Sequence, residues 1–180
     1  MKFTKMHGCG NDYVYFDCTK VDFPGGAEGE RQAAIKLSDR HFGIGGDGII
    51  LIKKGTKADF EMVMYNADGS RSQMCGNGVR CVGKLVYDAG YTKGREFTVE
   101  SMGAVKVLTV VEGERGDKVA KLSVDMGKPI LAASKIPVAL KSDERVIQHP
   151  LTIGGVEYKA TCVSMGNPHA VVFIDKKPAD

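Results

Sequence analysis

Only two stretches of this sequence place apolar residues at helical spacing; its other periodic segments read as short strands cut by glycine turns. Lys2–His7 and Asp12–Cys18 are rich in aromatic and β-branched residues, and Gly8-Cys9-Gly10-Asn11 between them predicts a hairpin. Glu30–His41 carries good helix formers, with Ala34, Leu37 and His41 on one stripe and Gly43 as a stop. Strands are expected over Gly48–Lys53 and Phe60–Asn66, followed by turn chemistry at Ala67-Asp68-Gly69-Ser70. The second helix is expected over Gly76–Tyr87, where Val79, Val82, Gly83 and Val86 share a face and Gly90 ends the run. Glu96–Ser101, Ala104–Val111 and Lys118–Met126 then read as a three-stranded meander, broken at Met102-Gly103 and Glu112–Asp117. Mostly strand with two helices is an α+β pattern, not an alternating parallel sheet.

A boundary is expected at Gly127–Pro137, giving a first domain over 1–126 and a linker plus a second, strand-rich region over 127–180. The second region echoes the first. Gly10-Asn11 leads into an apolar strand closing on Asp17, and Gly166-Asn167 leads into one closing on Asp175. If the echo is real, the cysteine-bearing helix has no second copy before Asp180, which reads as a fragment.

With 180 residues and 43% hydrophobic content the chain can bury a core of its own. The net charge is only +3 and no basic run is longer than a pair, which argues against nucleic acid and against a membrane-surface helix. No apolar stretch approaches the ~20 residues of a membrane span, and the N-terminus shows no secretion signal. Five cysteines, an odd number, then suggest free thiols in a reducing cytoplasm.

Gly43-Ile44-Gly45-Gly46-Asp47-Gly48 matches G-x-G-x-x-G literally, but it follows a helix and opens a strand, the reverse of a dinucleotide site. A flexible, close-packed turn is the better reading. The Cys75–Cys81 spacing does not suit zinc, His7 and Cys9 lack a second ligand pair, and no metal is expected. His41 and His149 lack any constellation. Met74-Cys75-Gly76-Asn77-Gly78 differs in kind. A thiol at a helix N-terminus feels the positive end of the macrodipole, which favours thiolate. The N–H groups of Gly76, Asn77 and Gly78 would face outward and could hold a carboxylate.

Five blocks together carry a resemblance: Phe3-Thr4-Lys5-Met6-His7-Gly8 with Gly10-Asn11-Asp12; Gly45-Gly46-Asp47-Gly48; Tyr65-Asn66-Ala67-Asp68-Gly69-Ser70; Met74-Cys75-Gly76-Asn77-Gly78-Val79-Arg80-Cys81; and Ser164-Met165-Gly166-Asn167-Pro168-His169. In these blocks, and in their order, the sequence resembles the diaminopimelate epimerases. Proline racemases share that fold but typically carry His where Asn77 stands. The resemblance implies two similar α+β domains, each a β-roll around a central helix, with the substrate in the cleft between them. It also implies a cofactor-independent, cytoplasmic, homodimeric isomerase that converts LL- to meso-diaminopimelate for lysine and peptidoglycan precursors. Inversion takes a base on one face of the α-carbon and an acid on the other, roles that two cysteines can exchange.

By motif match Cys75 is one of that pair, the proton donor in the LL-to-meso direction. Gly76 and Asn77 would hold the reacting end, and Asn11, Asn66 and Asn167 would bind substrate polar groups. His169 would tune cysteine acidity. Gly48 stands where many bacterial members carry Gln. The family's second cysteine motif, its Glu-Arg pair and a later substrate asparagine have no counterpart in the sequence, and neither Cys81 nor Cys162 matches that motif. The 180 residues therefore read as a first domain and part of a second, not competent alone. A racemase of another amino acid, such as histidine, and a non-catalytic diaminopimelate-binding half-protein are the alternatives.

Overall fold

The computed structural model describes residues 1–115, 118–140 and 143–175, which fall into two compact units, Met1–Met126 and Gly127–Asp180. The first unit holds β1 (Thr4–Gly8), β2 (Asn11–Cys18), α1 (Gly26–Ser38), β3 (Gly48–Lys54), β4 (Phe60–Asn66), β5 (Arg71–Ser72), α2 (Gly76–Asp88), β6 (Glu96–Ser101), β7 (Ala104–Arg115) and β8 (Lys118–Val124). One sheet runs β1-β2-β3-β4-β6-β7-β8, with β5 on β4. The sheet is mixed. Strands β2 and β3, and β4 and β6, pair in parallel, and these are the two pairs whose connections contain a helix. A parallel neighbour needs such a crossover, whereas the remaining pairs are antiparallel.

The middle strands are covered on both faces, so their sequences are nearly continuous apolar runs. Their side chains divide by the period of two. Tyr13, Tyr15, Ile50, Ile52, Met62 and Met64 join the core around Val79, Val82 and Val86 of α2. Val14, Phe16, Ile49, Leu51, Val63 and Tyr65 pack on the other face with Ala34 of α1. Helix α2 touches β1, β2 and β8, strands from both ends of the sheet, so the sheet curls around it. This is the α+β roll about a central helix that the sequence led one to expect.

Local departures have identifiable causes. Helix α1 starts four residues before the expected Glu30, behind a left-handed Gly25, and ends at Ser38 rather than His41. Asp39 Oδ1 accepts from the N–H groups of His41 and Phe42, each at 2.7 Å, which folds those residues into a turn. Strand β7 does not stop at Val111 but runs to Arg115 past an irregularity between Val110 and Glu112. Residues 116 and 117 of the expected break lie outside the described residues. The β1–β2 hairpin turns on Cys9 and Gly10, both at positive φ, a two-residue geometry that suits the twist of a hairpin.

In the second unit, β9 (His149–Ile153), β10 (Val156–Ser164) and β11 (Pro168–Val172) form an antiparallel sheet, preceded by a single 3-10 turn at Ala133–Lys135. The β10–β11 hairpin turns through Met165, Gly166 and Asn167, with Gly166 at φ 102. Each half of the sequence echo is thus a hairpin with a positive-φ glycine directly before its asparagine. Among the described residues no helix is long and apolar enough to cross a membrane.

Candidate active site

Strand β4 ends at Asn66, next to Gly48, where β3 begins, and β2 starts beside them at Asn11. The chain needs only the short β5 excursion before α2 opens at Gly76. Cys75 is the N-cap of that helix, extended at φ −132 and ψ 108, and its Sγ accepts the Gly78 N–H at 3.3 Å. A capping sulfur takes up one of the backbone donors that a helix N-terminus leaves unsatisfied. The carboxylate cradle read from the sequence therefore reduces to the Gly76 and Asn77 N–H groups, because Gly78 spends its own on the sulfur.

The other contact of Cys75 crosses the fold. Sγ donates to Asn11 Oδ1 at 3.1 Å, and the opposite end of that amide, Nδ2, donates to Asp47 Oδ2 at 2.6 Å. Asp47 Oδ2 also receives the Asp12 N–H at 3.0 Å, and its Oδ1 receives Arg40 at 2.9 Å. Arg40 reaches Asp12 as well, at 2.7 Å, and Lys5 Nζ sits 2.7 Å from the same carboxylate. The hydrogen bonds from Arg40 and then Lys5 hold the Asp12 carboxyl well below the usual carboxylate range.

The backbone is tied at the same place. Asp47 N donates to Asp12 O at 2.7 Å, and Ala67 N donates to Asp47 O at 2.9 Å, so three chain corners share one hub. Ile44 and Gly45 both donate to Leu37 O, and Gly46 donates to Ser38 O. The glycine-rich connection is close-packed as expected, yet pinned rather than flexible, and it opens β3 rather than a helix.

Asn66 Nδ2 donates to Ser70 Oγ at 3.0 Å, within a turn that its backbone also closes. Arg80 donates to Asn77 Oδ1 at 2.6 Å and to Gly76 O at 3.0 Å. The β1–β2 turn packs directly on α2: a Cβ on Gly8 would lie 2.9 Å from Asn77 O. Gly76 faces only Met126, at ordinary contact distance. The first unit thus joins Asn11 to Cys75 beside Gly76 and Asn77, and sets Asn66 at the same end of the sheet with its amide turned to Ser70. Asn167 and His169 belong to the second unit, Asn167 in the β10–β11 turn and His169 exposed on β11 opposite Val163.

Asp47, Arg40 and Tyr13 carry no role in the sequence reading. Tyr13 is buried, and its phenol lies beside Cys75 and Asn11; burial first, then Cys75, pushes it up to about 12. Burial likewise pushes the Cys81 and Cys18 thiols up; both lie in the core, whereas Cys75 is half-buried. All five cysteines are free thiols.

Among solved structures, the fold is similar to a hydroxyproline epimerase from Agrobacterium vitis, with a TM-score of 0.65 and 13% identity, covering 94% of this chain and 50% of that one. It is also similar to a probable proline racemase from Agrobacterium radiobacter, with a TM-score of 0.63 and 15% identity over 94% and 51%. In sequence the chain is 52% identical to the diaminopimelate epimerase of Agathobacter rectalis and 51% identical to that of Leptospira biflexa. Each match covers 97% of this chain and 61% of the relative. The diaminopimelate epimerase of Methanococcus maripaludis is 47% identical over the same shares. The chain therefore spans about three-fifths of the length of these relatives. Residues 3–132, which hold the whole Cys75 site, match the family described as diaminopimelate epimerase, and the chain belongs to that family.

Proposed function

We propose that the chain carries the first half-site of a cofactor-independent epimerase that inverts one α-carbon of LL-diaminopimelate to give the meso form. The observation that carries this reading is the single sulfur at the start of α2, held between Asn11 Oδ1 and the Gly78 N–H beside the Gly76 and Asn77 N–H groups. That arrangement supports reading Cys75 as a proton-transfer group beside a site for an α-carboxylate. The α-hydrogen of an amino acid is so weakly acidic that the base must be aligned and water kept out.

In the LL-to-meso direction, the partner thiolate takes the α-proton and Cys75 delivers its own to the opposite face, ending as thiolate. The partner thiol comes from chain beyond these 180 residues. Gly76 and Asn77 hold the reacting carboxylate, Asn11 and Asn66 bind polar groups of the substrate, and Asn167 and His169 act from the second unit. That unit is the opening part of a second epimerase domain. The whole protein works as a homodimer in the cytoplasm, supplying lysine and peptidoglycan precursors.

The test is α-hydrogen exchange in D₂O, followed by proton NMR, on LL- and meso-diaminopimelate with a Cys75→Ala control. Run in reverse, Cys75 removes the proton that it delivers in the forward direction, so exchange should fall on the D-centre of the meso isomer and vanish in the variant. The reading fails if no exchange occurs and millimolar diaminopimelate leaves the amide resonances of Asn11, Asn66, Gly76 and Asn77 unmoved.

A further inference from the structure

The amide of Asn11 has two chemically different ends, and its neighbours decide which one meets the sulfur. Asp47 is a carboxylate, which only accepts, so it takes Nδ2 at 2.6 Å and leaves Oδ1 toward Cys75 at 3.1 Å. Asp47 has no freedom to release that end. Its Oδ2 is shared with the Asp12 N–H, its Oδ1 is bound by Arg40, and its own N–H and C=O are tied to Asp12 and Ala67. Arg40 is braced in turn on Asp12, which Lys5 also holds.

We propose that Asp47 is a positioning residue that fixes the polarity of the Asn11 amide, so that an acceptor faces Cys75 and the proton stays on the sulfur. Resting on the epimerase reading, this deepens it: the relay holds Cys75 in the acid form that a proton donor needs. A donor at that place would instead favour the thiolate. Asp47 touches neither the reacting atoms nor Cys75 in this arrangement, and it acts through Asn11.

The groups around the amide are Lys5 on β1, Asp12 and Tyr13 on β2, Arg40 and Asp47 in the connection before β3, and Cys75 itself. Asp47→Ala removes the acceptor that holds Asn11 Nδ2, and the freed amide can rotate to point Nδ2 at the sulfur, where a thiolate accepts from it.

The readout is the rate of Cys75 alkylation by iodoacetamide against pH, followed by peptide mass spectrometry so that the other thiols are resolved. Asp47→Ala should raise the rate near neutral pH about tenfold, the effect of one hydrogen bond to a charged group. The profile should move to lower pH without a higher plateau at high pH; a loosened site would raise the plateau instead. In an Asn11→Ala background the same change should leave the profile where Asn11→Ala alone sets it, because Asp47 acts through Asn11. An equal shift in that background, which assigns the effect to the Asp47 charge alone, or an Asp47→Ala profile superimposed on the unmodified one, overturns the proposal. Alkylation needs no turnover, so a shifted profile without α-hydrogen exchange would sink the epimerase reading and leave the relay standing. Exchange with an unshifted profile would do the reverse.

Discussion

Gly48 sits where the site and the sheet share backbone, and replacing it with alanine measures how tightly they are joined. The residue opens β3, pairs with Asn66 across β4, and is fully covered. A methyl group there would lie 3.0 Å from Asn66 Cα and 3.0 Å from Tyr13 Cε1, and closer still to the Tyr65 carbonyl oxygen. Two of these three obstacles are main chain, which cannot swing away as a side-chain tip can. The φ angle is not positive, so the penalty is steric and not conformational. Overpacking of this kind costs about 3 kcal/mol, while losing a glycine from the unfolded chain returns about 0.7 kcal/mol. A net loss of about 2 kcal/mol should lower the melting temperature of the first unit by about 8 °C. The chain has six tyrosines and no tryptophan, and all but Tyr158 precede Gly127, so tyrosine fluorescence follows the first unit. Gly76→Ala is the control: its added carbon meets only Met126, at 3.7 Å, and its melting should hold or rise. If Gly48→Ala melts at or above the unmodified chain, β3 and β4 are not packed as described.

Gly83→Ala probes the inside of the roll. Its methyl would stand 2.5 Å from Leu108 Cδ2 and 3.1 Å from Leu122 Cδ1, so despite better helix propensity it should cost about 1–2 kcal/mol in urea unfolding. In a Leu108→Ala background the same change should become neutral or stabilising. Cys75→Ala removes the cap acceptor and should cost about 1 kcal/mol, whereas Cys75→Ser keeps an acceptor and the stability. Both should abolish α-hydrogen exchange, which separates capping from chemistry. Asp12 titrates far below its unfolded value because of Arg40 and Lys5, so its contribution is present above the ordinary carboxylate range and lost as pH falls. Arg40→Met should bring that titration up toward the usual range in carboxyl-resolved NMR and make acid unfolding begin at higher pH.

The strands that were legible in sequence are those whose apolar runs meet turn residues at both ends. Phe60–Asn66 and Glu96–Ser101 have the expected bounds, and α2 opens at the expected Gly76 with Cys75 as its cap. Helix α1 was displaced because its limits are set by a left-handed glycine and by the Asp39 side chain, neither of which leaves an apolar period. The parallel pairings escaped for a related reason: periodicity marks a strand but not its neighbour. In the site, Cys75, Gly76 and Asn77 were visible because their chemistry is local to one helix end. Asp47 was visible only as part of a glycine-rich block. Its partner Asn11 lies 36 positions away, and Arg40 reaches Asp12 across 28, distances over which no local pattern runs.

What unites these corners is strand direction. Because β2 and β3 run parallel, Asn11 and Gly48 both begin strands at the same end of the sheet. Because β4 runs antiparallel to β3, it finishes at that end with Asn66. The connection to α2 is short, so the helix has to start there too, with its positive end at that side and the Cys75 sulfur on Asn11. Reversing any one of these strands would send one of the three corners to the far side of the sheet. The convergence of polar groups on Cys75 is thus a consequence of topology. Asp47 adds what topology leaves open, the choice of which end of the Asn11 amide meets the thiol.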